Sequence, residues 1–380
     1  MLGFIWEADV LKKLLPVLLS ILIGFIFGGI ILKLVHISPF EAYAVMWGGI
    51  FGKASYLGYA IVKSTPLILT GLSVAFAFRT GLFNIGAEGQ FIMGTIVAAW
   101  CGYSFHFSPW LQIPLILFMA MLASAFWGGL AGFFKARFGV HEVISTIMLN
   151  WIVFYLHNFV VMMEGLHKPD TETTFPIQAE GSLTFLEQWK YSDAGIAWFE
   201  THPWLSDFFR SPVNAGIFFA LMSALVIAFI LKKTTLGFEL RAVGFNKEAA
   251  LYNGINVKKN MIVSMGISGA LAGLAGATHV MGVSHNLAIL ASMEGYGFDG
   301  IAVSLIGANS PLGTVFAGLF FGALKYSGGK LQSALEAPSE IISIMIGLII
   351  FFAALPKLFE MCGSGLKNIF TKSNKEKDHA

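Results

Sequence analysis

Arg79-Thr-Gly-Leu-Phe-Asn-Ile-Gly-Ala-Glu-Gly-Gln90 sets an arginine, an asparagine, a glutamate and a glutamine among glycines, at the junction of two apolar runs, Tyr59 to Phe78 and Phe83 to Cys101. About 20 apolar residues is the length of a membrane helix. A charged side chain at the centre of such a helix costs roughly 2.5–3.5 kcal/mol even on the lenient insertion scale, so it faces a cavity, a partner or a substrate path. Glycine lets a helix break and lets backbones approach closely. The stretch therefore predicts an interrupted membrane helix carrying functional polar groups.

Composition agrees. Hydrophobic residues make up 56% of the 380 and charged ones 12%, against roughly 25% charged in a soluble domain. The reading is an all-α integral membrane protein. The net charge of +2 comes from small basic clusters at loop positions, which excludes a nucleic-acid-binding surface. Cys101 and Cys362 are far apart and lack the spacing of a metal site or a disulfide framework. Neither a metal nor a cofactor is expected.

Apolar runs suggest about ten spans: Leu14–Val35, Tyr59–Phe78, Phe83–Cys101, Leu111–Phe134, Val143–Met163, Val213–Leu231, Met261–Val283, a Gly-rich weaker one at Leu287–Ala308, Leu312–Gly328 and Ile341–Leu355. The first is read as a retained helix behind Lys12 and Lys13, too long for a signal-peptide core. In this layout Lys12, Lys13, Lys135, Arg137, Lys232, Lys233, Arg241, Lys247, Lys258, Lys259 and the tail from Lys357 to Lys377 share one side, which the distribution of basic residues makes the cytoplasm. Both termini are then cytoplasmic. Lys53, Lys63, Lys325 and Lys330 break the rule, lying on or near the other side. The expected organisation is a single transmembrane domain over 1–380. It has a long acidic extracytoplasmic loop at 164–212, a cytoplasmic loop at 232–260 and a tail at 356–380.

Four spans from Tyr59 begin outside and four from Met261 begin inside, so any duplication would be inverted. Inverted repeats with Gly-interrupted helices are a common transporter design. Gly295, Gly297, Asp299 and Gly300, followed by Gly307, Asn309, Ser310, Pro311 and Gly313, are the candidate second interruption; a simple turn is the alternative. In the cytoplasmic loop, Asn246 is a candidate N-cap for a short helix through Tyr252, with Gly254 as its stop. Such a helix suits a partner's groove, or else the lipid headgroups.

Phe78 to Gln90, together with Arg241-Ala-Val-Gly-Phe-Asn246, Glu248-Ala-Ala250 and Gly254-Ile-Asn256, resembles the permease subunits of bacterial ABC importers for nucleosides and simple sugars. The family includes the branched-chain amino-acid permeases, and the likeness runs from about Tyr59 to Leu355. The long acidic loop resembles the larger permease of nucleoside systems; Phe245 stands where relatives often have a polar or acidic residue. The resemblance implies a bacterial plasma-membrane complex of two permeases, a hetero-pair rather than a homodimer. Cytoplasmic ABC ATPase subunits would drive it and an extracytoplasmic binding protein would feed it. No Gly-x4-Gly-Lys-Ser/Thr phosphate loop occurs in the chain, so ATP hydrolysis belongs on another subunit and the chain is not an enzyme. Arg241, Gly244, Asn246, Glu248, Ala249, Ala250 and Gly254 would dock the ATPase.

The substrate path would be lined by Phe83, Asn84, Glu88, Gln90, Asn150, Asp299 and Asn309. The amides offer hydrogen bonds to a nucleoside, and Phe83 or Phe91 offers a stacking face. A structural alternative stands beside each. Glu88 would pair with Arg79 or cap a neighbouring helix, Asn150 would bond a neighbouring helix, and Gly266, Gly269, Gly273, Gly318 and Gly322 would serve helix packing. Ribose-like sugars or flavin-type compounds are the other cargoes considered. A secondary transporter binding a proton or sodium ion at Glu88 and Asp299 is the reading from another class. Ser268 and His279 resemble the serine and histidine of an intramembrane protease, but 11 residues at about 1.5 Å each separate them by roughly 16 Å along one helix, too far for a nucleophile and its base.

Overall fold

The computed structural model describes residues 19–184, 187–190 and 192–353. Lys12, Lys13, the start of the first run at Leu14, Cys362 and the basic tail lie outside them. In chain order the helices are α1 (Leu19–Leu34), α2 (Pro39–Phe51), α3 (Ala54–Arg79), α4 (Ala87–Ser104), α5 (Pro109–Phe138), α6 (Glu142–Val161), α7 (Glu187–Lys190), α8 (Asp193–Thr201), α9 (Pro203–Phe209), α10 (Gly216–Lys233), α11 (Thr235–Phe245), α12 (Lys247–Tyr252), α13 (Val257–His279), α14 (Tyr296–Ile306), α15 (Pro311–Leu335) and α16 (Ser339–Ala353). Among the described residues extended pairing is limited to isolated bridges, and the protein is an all-α membrane protein.

Among the described residues five helices are long and apolar enough to cross a bilayer: α3, α5, α6, α10, and α13 with the π-helical turn Val280–Ser284 that continues it. The bent pair α1 and α2, turning by 120°, would make a sixth. Glu88 and Gln90 interrupt the apolar run of α4, and Lys325 that of α15. The proposed span Leu287–Ala308 is not one helix. Residues 285–295 are non-helical and only the 11 residues of α14 follow. α2 was not anticipated; its exposed Phe40, Trp47 and Phe51 leave an apolar surface that a soluble helix would not carry.

The chain forms two compact units, Ile50–Tyr326 and the paired segments Met1–Gly49 and Ser327–Ala380. In the first, 83% of the apolar window of α3 and 72% of that of α13 is buried, against 28% in α5 and α10, so α3 and α13 form its centre. They run antiparallel, because Ser73 meets Ser268 at 2.9 Å while Thr80 meets Ser264 at 2.8 Å. Close approach is bought with small residues: a Cβ on Gly94 would collide with the Gly273 backbone, and one on Gly273 with Ser124. In the second unit Tyr43 of α2 reaches α1, its phenol donating to the Phe25 carbonyl, and a Cβ on Gly24 would meet the backbone at Ile349.

The 164–212 segment is folded. Lys168 N–H donates to Thr173 O, Ile177 N–H to His285 O and Thr174 N–H to Leu287 O, while Ile289 N–H donates to Glu172 O. The loop thus pairs its backbone with the irregular stretch after α13, which satisfies both. α9 is fastened to the start of α3 by the Ser55 N–H, which donates to Asp207 Oδ2 at 3.0 Å. That bond holds the Asp207 carboxyl below its ordinary value.

Candidate functional site

α3 ends at Arg79, where the Thr80 and Gly81 N–H groups close a turn on Ala77 O and Phe78 O. Gly81 takes φ +70°, which a Cβ would resist. The chain then doubles back in non-helical form to Gly86, bringing Asn84 beside Ser73, and α4 starts at Ala87 inside the bundle. Two polar networks form here. In the first, Asn84 Nδ2 donates to Gln90 Oε1 at 2.8 Å and Ser268 Oγ at 2.7 Å, and Gln90 Nε2 returns a bond to Asn84 Oδ1 at 3.2 Å. Ser268 is shared with Ser73. In the second, Asn150 of α6 accepts from Gly89 N–H at 2.9 Å and donates to Ile85 O at 3.1 Å. Asn84, Gln90, Asn150 and Ser268 are all buried, and the bonds replace the water these groups lose.

Glu88, fully buried, reaches across to the other interrupted region. Its carboxylate accepts from Gly295 N–H at 2.7 Å and Gly297 N–H at 2.6 Å, the free donors at the start of α14. A carboxylate at a helix N-terminus is stabilised by those donors and by the helix dipole. Gly297 is held so close that a Cβ would strike the Glu88 backbone. Of the two partners weighed for Glu88 without cargo, the neighbouring helix is the one it takes. Arg79 Nε donates instead to Asn309 O at 3.0 Å. Asn309 has φ +51° and accepts from Ser304 through Oδ1 at 2.6 Å. Phe83 is half-buried, its ring 5.1 Å from that of Phe78.

Asp299 of α14 forms an ion pair with Lys325 of α15. Lys325 Nζ also lies 5.8 Å from the Tyr296 ring and 5.9 Å from that of Phe321. Lys63 of α3 and Glu294 share the field of this pair, and both are exposed on the chain. Lys63 stands nine residues into α3, about 13 Å from its start, a depth at which an exposed charge cannot face lipid. Behind this ionic face Phe91, His279 and Tyr296 form an aromatic group with centroids 5.2–5.9 Å apart. Of the expected path residues, then, the structure brings Asn84, Glu88, Gln90 and Asn150 together in the core, Asp299 onto the ionic face and Asn309 to the end of α3. Lys63, His279, Glu294, Tyr296 and Lys325 were not selected from the sequence. The signal for the lysines was their violation of the charge rule.

At the end of the bundle holding α11 and α12, Asn246 caps α12 by accepting from Glu248 and Ala249 N–H, each at 3.0 Å. Gly254 ends the turn at φ +80°. Glu248 and Ala249 are exposed and Ala250 is buried. Phe245 at the end of α11 and Tyr252 at the end of α12 are 90% and 94% exposed, an unusual state for large rings. Gly244 packs on the Arg79 backbone, and Arg241 Nε bonds Gly237 O at 3.2 Å. Beside α12 lies a groove of about 630 Å³ whose walls include Lys135, Lys247, Glu248, Leu251 and Lys258.

Among the described residues no group of three or more His, Cys, Asp or Glu side chains is arranged to hold a metal ion. No solved structure matches the chain. It is 41% identical over 346 residues to the guanosine ABC transporter permease protein NupP of Bacillus subtilis, covering 90% of this chain and 94% of that one. It is 36% identical to the nucleoside ABC transporter permease protein NupB of Lactococcus lactis, covering 92% and 93%. A second guanosine permease of Bacillus subtilis, NupQ, is 27% identical over 78% of this chain and 89% of its own. The family model for the branched-chain amino acid transport system permease component matches residues 56–354, and with most of its length so matched this chain belongs to that family of ABC transporter permeases.

Proposed function

We propose that this chain imports nucleosides across a bacterial plasma membrane as one of two different permeases in an ATP-driven complex. The observation that carries the reading is the 41% identity, over nearly the full length of both chains, to a guanosine permease. Two distinct guanosine permeases in Bacillus subtilis support a hetero-pair. The lysines and arginines gathered near α11, α12 and the ends of α5, α10 and α13 support placing that end in the cytoplasm, with both termini, and the 164–212 loop outside. A single permease domain accommodates these positions.

α12 then lies in a groove of the ATPase. Tyr252 and Phe245 supply apolar contact, and Arg241, Gly244, Asn246, Glu248, Ala249, Ala250 and Gly254 supply its shape and cap. An extracytoplasmic binding protein delivers cargo to the loop face. Cargo passes along the face of α3, α14 and α15, where Lys63, Glu294, Asp299 and Lys325 demand water or a partner subunit rather than lipid. Asn84, Glu88, Gln90 and Asn150 frame that path, and Phe83 and Asn309 stand at its cytoplasmic end. The chain moves its cargo without making or breaking a bond.

The test is uptake of radiolabelled nucleosides by cells expressing this chain with its transport partners, with either an active or a hydrolysis-dead ATPase. Uptake that requires the active ATPase is expected. Uptake indifferent to the ATPase and driven by a proton or sodium gradient would overturn the reading in favour of a secondary transporter.

A further inference from the structure

The groove beside α12 continues into the depth of the bundle. α5 and α13 cross closely where a Cβ on Gly128 would meet the Met265 carbonyl oxygen and one on Gly132 the Ile262 backbone. On the flank of that crossing lies a trough of about 560 Å³, with Phe126, Leu130, Phe133, Ile262 and Val263 among its walls. Glycines make the room. A Cβ on Gly129 would find nothing within 4 Å, and one on Gly266 only the Ala125 carbonyl oxygen at 3.6 Å.

The trough and the α12 groove lie along the same helix faces. On α5 Phe126, Gly129 and Phe133 lead at helical spacing to Ala136, and on α13 Gly266 and Ile262 lead to Lys258. Ala136 and Lys258 line the α12 groove. From Ala125 to Lys135 α5 rises about 15 Å, half of the roughly 30 Å hydrocarbon core, so the channel is one leaflet deep.

Its two ends differ in chemistry. Every side chain on the deep trough is apolar, whereas the α12 end carries Lys135, Lys247 and Lys258 against Glu248. Lys135 is committed to Glu142. Lys247 and Lys258 are exposed, and among the described residues neither forms an ion pair. Two ammonium groups thus face one carboxylate. A ligand matching this channel has a long apolar tail within the leaflet and an anionic head at its surface. Basic pockets between membrane helices take such headgroups. A zwitterionic lipid offers the same tail but brings its own cation.

We propose that this channel is a site for an anionic phospholipid such as phosphatidylglycerol, with an acyl chain lying across Gly129 and Gly266 and the phosphate at Lys247 and Lys258. The site does not depend on the cargo.

The test is photolabelling of the assembled complex, in nanodiscs of phosphatidylcholine, by phosphatidylglycerol carrying a diazirine in one acyl chain. Labelled peptides are expected from 125–133 and 262–266, with the label displaced by unlabelled phosphatidylglycerol although phosphatidylcholine is in excess. Lys247→Gln and Lys258→Gln should each raise the proportion of phosphatidylglycerol needed for half-maximal labelling by about fivefold. Gly129→Leu, whose side chain enters open space, should abolish labelling of the trough without lowering the melting temperature. Equal labelling by a phosphatidylcholine analogue, or an unmoved half-maximum in both lysine variants, overturns the headgroup site. Undiminished labelling in Gly129→Leu overturns the trough. Labelling of the isolated permease but not of the complex would show that a protein subunit covers the channel, and displacement by inorganic phosphate at constant ionic strength would give the lysines to a soluble ligand; either overturns the proposal.

Discussion

Glu88 is where sequence and structure converge most closely at the residue scale. A carboxylate in an apolar run must have a reason, and the reason here is two backbone N–H groups of α14 that no other group serves. Hydrogen bonds to a charged group are worth about 1.5–3 kcal/mol each. Glu88→Ala should therefore lower stability by roughly 3–5 kcal/mol, read as a reduced melting temperature of the detergent-purified complex. Glu88→Gln should cost about half as much, since an amide turns one acceptor into a donor. Two variants melting with the wild type would show that the carboxylate does not hold α14. Asn84, Gln90 and Asn150 were legible as polar groups in need of partners but their partners were not: Asn84 meets Gln90 and Ser268 across 6 and 184 residues, and Asn150 meets the backbone of Gly89 and Ile85, and such separations carry no distance. Lys63 and Lys325 were legible only as exceptions. Two cations on the wrong side of a charge count are one observation, and their shared field with Glu294 and Asp299 requires the fold.

At the scale of elements, the short α12 follows directly from its residues. Asn246 offers a side-chain oxygen to the first free N–H groups, Gly254 accepts the left-handed conformation, and six residues between them form the helix. The exposed rings on either side of its cap, Phe245 at the end of α11 and Tyr252 at the end of α12, predict a consequence. Phe245→Ala and Tyr252→Ala should each weaken co-purification of the ATPase by about 1–2 kcal/mol, as truncation of an aromatic anchor does, with no change in the permease's own melting temperature. Undiminished co-purification would remove α12 from the interface. Leu287–Ala308 went the other way. Its residues are apolar enough for a span, but an apolar run does not distinguish a buried helix from buried extended chain. Here residues 285–289 take their hydrogen bonds from the loop at 172–177, a pairing that hydropathy cannot register. The π turn at Val280–Ser284 and His285 at φ +57° are the local means by which α13 gives way to that pairing.

For the molecule as a whole, the centre of the Ile50–Tyr326 unit is built from two helices and their returns. α3 and α13 run antiparallel, each is followed by a non-helical return, and the helices that come next, α4 and α14, meet through Glu88. The loop is tied to this centre by a charge. Asp207 accepts from the Ser55 N–H at the head of α3, which keeps its carboxyl below the ordinary 3.8. A depressed acid stabilises the folded state above its unfolded value and ceases to do so as pH falls through the lowered native one. The fastening should thus be intact at neutral pH and fail only in strong acid. Hydrogen exchange of the Ser55 amide should be faster in Asp207→Asn than in the wild type at neutral pH, with the two converging at low pH. Equal exchange at neutral pH would show that the loop is held by other contacts.

The pairing of 172–177 with 285–289 also makes the loop a short mechanical linkage. From Ile289, bonded to Glu172, to Gly295, bonded to Glu88, the chain advances six residues, at most about 20 Å when fully extended. Slack is therefore scarce. A load placed on the loop has few peptide units in which to dissipate before it pulls on the joined ends of α4 and α14. Because those ends share one carboxylate, they can answer such a load only by travelling together.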